Sequence, residues 1–305
     1  MRLRALILAA ICTVLLLQPV LSSSKVRRSK DLTLSWRLEK TRYAEAEPIL
    51  AFISLTNRGK TDRRVPPTVR LGDGLALFHL SLDGGRTRVM PRWMNSSAFG
   101  GSPATLAAGE TVSRVFDLLS KYGEYRRGPG SIADRLGSTA LPPGRYRIVP
   151  SLTVDGPNGE KRESYKLVEG ESLDFTVVPL GEDSTTAQLV GAFLRSASWK
   201  DGDYAVRTKY CADWVPRFYS SSFLLTVFLA SGSHMRSEPL DVLLSALRAH
   251  GASDIMRAYI LQARLTIEPG GPEQKRALLE KVTQDEPTGA PAAIIKSASA
   301  ILKVR

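Results

Sequence analysis

The segment Leu141-Pro142-Pro143-Gly144-Arg145-Tyr146-Arg147-Ile148 constrains the fold more than any other stretch of this chain. A Pro-Gly turn delivers the backbone into an alternating run, and a tyrosine stands two residues past the glycine. Such an order suits a late strand of a two-sheet β-sandwich, where the tyrosine pins the corner between the sheets. It predicts that Tyr146 is buried and that no active site surrounds it.

The residues before it read as strands. Leu32, Leu34, Trp36 and Leu38 alternate with polar residues, so one face of that strand is buried. A polar turn, Tyr43 to Pro48, leads into the more continuous apolar run Ile49 to Leu55, which suits a central strand. Leu75 to Leu82 is a further strand, turned by Asp83-Gly84-Gly85 into Thr87 to Met90, since glycine accepts the positive φ of a tight hairpin. Val112 to Leu119 and a last strand through Leu173, Phe175 and Val177 follow, with a polar, glycine-rich loop at Gly123 to Ala140 between them. Short strands with regular turns predict an antiparallel sandwich over residues 31–180.

At Gly181-Glu182-Asp183-Ser184 the pattern changes to a helical period. Helices are predicted over Thr186 to Trp199, Tyr204 to Trp214, Pro216 to Ala230, Ser237 to Gly251, Ser253 to Ile267, Pro272 to Asp285 and Pro291 to Val304. The last four, joined by short Gly/Pro turns and carrying alanines such as Ala258, Ala263, Ala292 and Ala298, look like stacked antiparallel hairpins. The expected class is therefore α+β in two domains, a sandwich over 31–180 and all-α helical hairpins over 184–305.

The chain starts with a basic Met1-Arg2-Leu3-Arg4, an apolar stretch from Ala5 to Leu17 and small residues at Val20 to Ser24. Thirteen residues are too few for a bilayer span, which takes about 20. Residues 1–23 are expected to be a cleaved secretory signal, the alternative being a retained anchor. An exported protein, periplasmic or extracellular, follows, with no transmembrane span after cleavage. Cys12 lies inside the apolar stretch, which leaves Cys211 alone in the mature chain and excludes an intramolecular disulfide. Lys25 to Leu180 holds 25 Lys+Arg against 17 Asp+Glu, 25 − 17 = +8, whereas Gly181 to Arg305 holds 15 against 13, 15 − 13 = +2. An anionic envelope component fits such a charge in an exported chain better than nucleic acid does; a solvated β-surface with scattered arginines fits it too.

Chemistry-bearing motifs are scarce. The three histidines, His79, His234 and His250, and the two cysteines make no zinc-type spacing, and no D-x-D-x-D-G loop is present, so neither metal nor cofactor is expected. There is no G-x-S-x-G and no glycine-rich phosphate loop. Cys211, Asp213 and His234 could be drawn as a thiol site, but no local signature supports it. Asn95-Ser96-Ser97 fits the glycosylation acceptor pattern. The aromatic group Trp199, Tyr204, Tyr210, Trp214 and Phe218, with Tyr219 beside it, is the candidate ligand or partner surface. Tyr210, Trp214 and Phe218 fall at i, i+4, i+8 on one helical face, where aromatics either stack on a ligand or fill a core.

The set Tyr43, Glu47-Pro48-Ile49, Leu55-Thr56-Asn57, Leu106 to Glu110 with Gly109, and Pro143-Gly144-Arg145-Tyr146 resembles a secreted bacterial immunoglobulin-like domain. It is similar, more weakly, to the domain typified by the BsuPI intracellular proteinase inhibitor. The likeness covers roughly the first half of the chain and transfers no functional residue; the export signal and the 123–140 loop depart from the inhibitor. The helical part resembles a tetratricopeptide-like solenoid without a clean 34-residue repeat. The expectation is a non-enzymatic exported binding or scaffold protein that meets a protein partner or an anionic envelope component. The alternatives are a secreted proteinase inhibitor using the 123–140 loop, and a hydrolase with a site at the domain junction.

Overall fold

The protein, described by a computed structural model, mixes antiparallel sheets with several helices. The structure describes residues 27–28, 30–45, 47–65, 76–82, 87–89, 104–119, 140–154, 166–195, 213–229, 237–267 and 272–303. Residues 1–23, expected to be a signal, nearly all of the predicted 123–140 loop, the predicted turn Asp83-Gly84-Gly85, Asn95-Ser96-Ser97, Cys211 and His234 lie outside them.

In chain order the strands are β1 (Arg27–Arg28), β2 (Leu32–Leu38), β3 (Arg42–Ala44), β4 (Leu50–Asn57), β5 (Arg63–Val65), β6 (Ala76–Leu82), β7 (Thr87–Val89), β8 (Ala104–Leu106), β9 (Thr111–Asp117), β10 (Gly144–Val154), β11 (Lys166–Glu169) and β12 (Leu173–Val178). A seven-stranded sheet forms around β10. One edge of β10 pairs with β12 through Gly144 to Ile148 and with β11 through Ser151 to Val154; its other edge pairs with β6, which in turn pairs with β7. β3 adds to β12 in parallel, Val177 opposite Tyr43. A second sheet runs β2-β4-β9, all antiparallel, and β5 pairs with β8.

Period-two alternation decides which side chains meet. Leu32, Leu34, Ile53, Leu55 and Val112 of the three-stranded sheet share one apolar cluster with Tyr43, Tyr146, Ile148, Phe175 and Val177 of the larger one. Tyr146 is 2% exposed and stacks on Phe175, centroids 5.2 Å apart, while Tyr43 meets Phe175 edge-on at 6.0 Å. The Tyr146 hydroxyl donates to the Pro142 carbonyl at 2.6 Å. Tyr146 is thus buried as expected, and its hydroxyl is satisfied by the chain that leads into its own strand.

After a 3-10 turn at Leu180–Glu182 come α1 (Ser184–Arg195), a helical stretch at 213–218, α2 (Phe223–Leu229), α3 (Ser237–Ala249), α4 (Asp254–Ile267), α5 (Pro272–Asp285) and α6 (Gly289–Lys303). Asp183 Oδ1 accepts from Thr186 N–H at 2.9 Å, capping α1. α3 ends as its glycine predicts. Gly251 has φ 72°, its N–H reaches Arg248 O, and Ala252 N–H reaches Leu247 O, a Schellman closure. The run predicted as one helix over Pro216 to Ala230 breaks at 219–222, because the Ser220 to Ser222 turn is held by Lys40 and Glu39 of the β2–β3 loop and by Glu47 after β3.

The helices share a core with the sheets. Leu50 and Val115, on the face of β4 and β9 opposite Leu55 and Val112, and Ala44 belong to the same apolar cluster as Leu189, Phe223, Leu243, Ile260 and Ile294. Layers therefore succeed one another: helices, the β2-β4-β9 sheet, the β10-centred sheet.

Candidate functional site

The polar counterpart of that shared core lies where the β2–β3 loop and the segment after β3 meet the helices. Glu47, the residue before Pro48, is fully buried. Its carboxylate accepts from Lys40 Nζ at 2.6 Å, from the N–H groups of Ala44 and Ser222 at 2.9 Å each, and from the Ser221 hydroxyl at 3.2 Å. A buried carboxylate is tolerated only with such a set of partners. Ser221 also bonds Thr186 Oγ1 of α1 at 2.8 Å, which ties two helical segments to the one carboxylate of Glu47. Lys40 Nζ lies 5.4 Å from the Tyr43 ring centroid, and Tyr43 Oη accepts the Lys40 N–H at 3.1 Å.

Glu39 stands beside this set. Its two carboxylate oxygens accept from Ser222 Oγ at 2.5 Å and Ser253 Oγ at 2.9 Å. Ser253 in turn accepts from Met256 N–H at 3.1 Å, so one hydroxyl caps α4 and binds Glu39 of the β2–β3 loop. Burial raises the Glu39 carboxyl above its ordinary value, against the hydrogen bond from Ser222 and the charge of Lys40. Burial likewise raises the Tyr43 phenol. On Asp254, the residue after Ser253, burial acts upward too. The Arg37 guanidinium and the Ala290 N–H outweigh it and hold that carboxyl below its usual range.

A second contact runs along β9. The Gln262 amide takes the N–H of Val115 on Oε1 and gives Nε2–H to the Val115 carbonyl, both at 3.0 Å, and Ser297 Oγ accepts the Ser113 N–H at 2.8 Å. Further along, burial raises the Asp117 carboxyl to about 6, against hydrogen bonds from the Leu119 and Ile49 N–H groups. Tyr259 of α4 faces it, and burial raises that phenol, with the Asp117 charge adding to the shift.

Of the aromatic candidates, Trp214 and Phe218 are buried in the helical core. Trp199, Tyr204 and Tyr210 lie outside the described residues. Tyr219 is 37% exposed and stacks on the exposed His250, centroids 6.4 Å apart. Asp213 is exposed, and the backbone of His79 pairs with Val149 in the β6–β10 ladder. Among the described residues no group of three or more His, Cys, Asp or Glu is placed to hold a metal ion, and no helix is long and apolar enough to cross a membrane.

No protein-family model matches the chain, and no curated protein matches it. Among solved structures it is similar to a mutant β-glucosidase from Listeria innocua in complex with laminaribiose, at 11% identity and a TM-score of 0.24. The match covers 48% of this chain and 16% of that one. At that level the likeness carries no argument about fold or chemistry.

The residues that matter at the junction, Glu39, Lys40, Glu47, Ser221, Ser222 and Ser253, were not candidates from the sequence. The segment carrying Glu47 reads as a solvated turn. The one available signal was the serine run before the apolar Phe223-Leu224-Leu225, which marks a helix start and so a break in the longer helix.

Proposed function

We propose that the chain is an exported, non-catalytic binding or scaffold protein. In this reading an immunoglobulin-like sandwich over 31–180 carries helical hairpins over 184–305, and the partner is a protein or an anionic component of the cell envelope. The parallel β12–β3 addition, the β2-β4-β9 sheet against the β10-centred one, and the Tyr146–Pro142 corner support the immunoglobulin-like assignment. The basic excess of the first half and the signal-like start support the place and the charge of the partner.

One observation carries the non-catalytic reading. The lysine, serines and carboxylates that come together at the junction could be drawn as a reacting set, yet Glu47, Ser221 and Ser222 are at most 1% exposed and Glu47 is saturated with donors. A nucleophile needs an approach for substrate; a joint needs closure. The proteinase-inhibitor and hydrolase readings have no observation of this kind behind them.

Co-sedimentation of the mature chain with isolated cell envelopes tests the proposal. The expected result is retention at low ionic strength that falls as salt is raised, since exposed charges are screened within about 10 Å at 0.1 M. A chain left wholly in the supernatant at low salt overturns it.

A further inference from the structure

Two carboxylates and one ammonium meet at the junction. Glu39 and Glu47 flank the segment that carries Lys40 and Tyr43, and with Lys40 paired to Glu47 one unit of negative charge is left over. Glu47 is bound by a cation, two N–H groups and a hydroxyl. Glu39 has two hydroxyls, and both belong to the helical part: Ser222 ahead of α2 and Ser253 ahead of α4.

A hydroxyl can donate to a carboxylate or accept from a carboxylic acid, so Glu39 stays hydrogen-bonded in either state. What changes with its proton is the charge. The ionised form is penalised by lost hydration and by the second carboxylate; the neutral form largely escapes both. The titratable groups facing Glu39 are Lys40, Tyr43 and Glu47 from its own segment. The Ser220 to Ser222 turn brings hydroxyls and amides, and α4 brings Ser253. The adjoining charges, Arg37 and Asp254, are paired with each other. Among the described residues Lys40 is thus the one cation set against both carboxylates.

We propose that this junction is a proton-linked latch: a proton on Glu39 draws the helices onto the sheets in mildly acid solution, and its loss slackens the Ser222 and Ser253 contacts. The direction follows from linkage. Burial raises the folded-state value of Glu39 above the ordinary 4.5, so the latch is strongest below that value and weakens as the pH rises through the folded one. Both contacts of Glu39 reach helical residues, so the effect falls on the joint and leaves the β10–β12 ladder alone.

Site-resolved hydrogen exchange on the full chain tests this at pH 5 and 7.5, with rates corrected for intrinsic chemistry. The amides of Ser222, Leu224 and Leu225 bond Glu47, Ser221 and Ser222 and report on the joint. Their protection is expected to be severalfold higher at pH 5 than at pH 7.5, because the joined state holds the Glu39 proton more tightly than the open one. The amides of Tyr146 and Phe175 should not change. In Glu39→Gln, which keeps a side chain able to bond both serines but cannot titrate, protection should be equal at the two pH values. The same pH response in wild type and variant overturns the proposal. Carbon-13 titration of the Glu39 carboxyl in the unaltered chain needs no variant: a midpoint well above 4.5 supports the latch, and one at or below 4.5 overturns it.

Discussion

Gln262 pairs with Val115 as a neighbouring strand would, one side-chain amide giving and taking a hydrogen bond at 3.0 Å each way. β9 is the outer strand of its sheet, and an outer strand exposes backbone groups that invite another chain. Here a helix supplies the missing partner, with Ser297 completing the edge at Ser113. Gln262→Ala is expected to cost about 1–3 kcal/mol by leaving two sheltered backbone groups unpaired. Gln262→Glu should cost more at pH 8, because a second carboxylate oxygen then faces the Val115 carbonyl, and should recover part of the loss at pH 4. Urea denaturation at both pH values measures this; equal midpoints for wild type and Gln262→Ala would show the edge to be satisfied by solvent.

The Lys40–Glu47 pair predicts strong non-additivity. Lys40→Met leaves a fully buried carboxylate without its cation, and Glu47→Gln leaves the ammonium without its anion. Removing one member of a buried pair costs about 3–5 kcal/mol. The double variant should lose clearly less than the sum of the two singles, because neither Lys40 nor Glu47 is then left without the other. A double-mutant cycle by chemical denaturation gives the coupling; simple additivity would mean the charges act independently.

What the residues disclosed in advance follows from how far each signal reaches. The face of β2 was legible because alternation depends on neighbours two apart, the central place of β4 because its apolar run is continuous, and Tyr146 because its turn lies in the same eight residues. The ends of α3 and α5 were legible because caps and prolines act within one turn. β3 was not, since three residues carry too little period and its pairing with β12 joins positions more than 130 residues apart. Glu39 and Glu47 were hidden for a different reason: a carboxylate in a polar turn has the same local signature whether it meets water or the serines of a distant helix. Trp214 and Phe218 show the converse, a helical aromatic spacing whose burial only tertiary packing decides.

Two glycines with the same backbone should respond differently to alanine. Gly251 and Gly289 both have φ 72°, which costs an L-residue about 1 kcal/mol. A Cβ on Gly251 meets nothing within 4 Å, whereas one on Gly289 would lie 2.8 Å from Asp254 Oδ2, the oxygen that accepts the Ala290 N–H. Gly289→Ala should therefore incur the φ cost and lose part of the Arg37–Asp254–Ala290 connection, about 2 kcal/mol or more in all. Thermal unfolding of the two variants side by side checks the order, and an equal loss would show that Asp254 moves aside freely.

Asp117 should make the fold less stable as the pH rises, opposite to the usual salt-bridged carboxylate. Its folded value is raised from 3.8 to about 6, mainly by burial, so the native state holds the proton more tightly than the unfolded chain. The contribution is most favourable below pH 4, falls between pH 4 and 6, and is constant above. At 1.36 kcal/mol per pKa unit the loss above pH 6 is about 2–3 kcal/mol. Asp117→Asn keeps an oxygen for the Leu119 N–H at 2.9 Å and cannot ionise. It should be more stable than the wild type at pH 7.5 by up to that amount, and no more stable at pH 4. Glu39 contributes in the same direction, so the comparison is made in a Glu39→Gln background, where adding Asp117→Asn isolates this one carboxyl. A variant that is less stable at pH 7.5 would mean that the ionised Asp117 is held by its hydrogen bonds more strongly than burial opposes it.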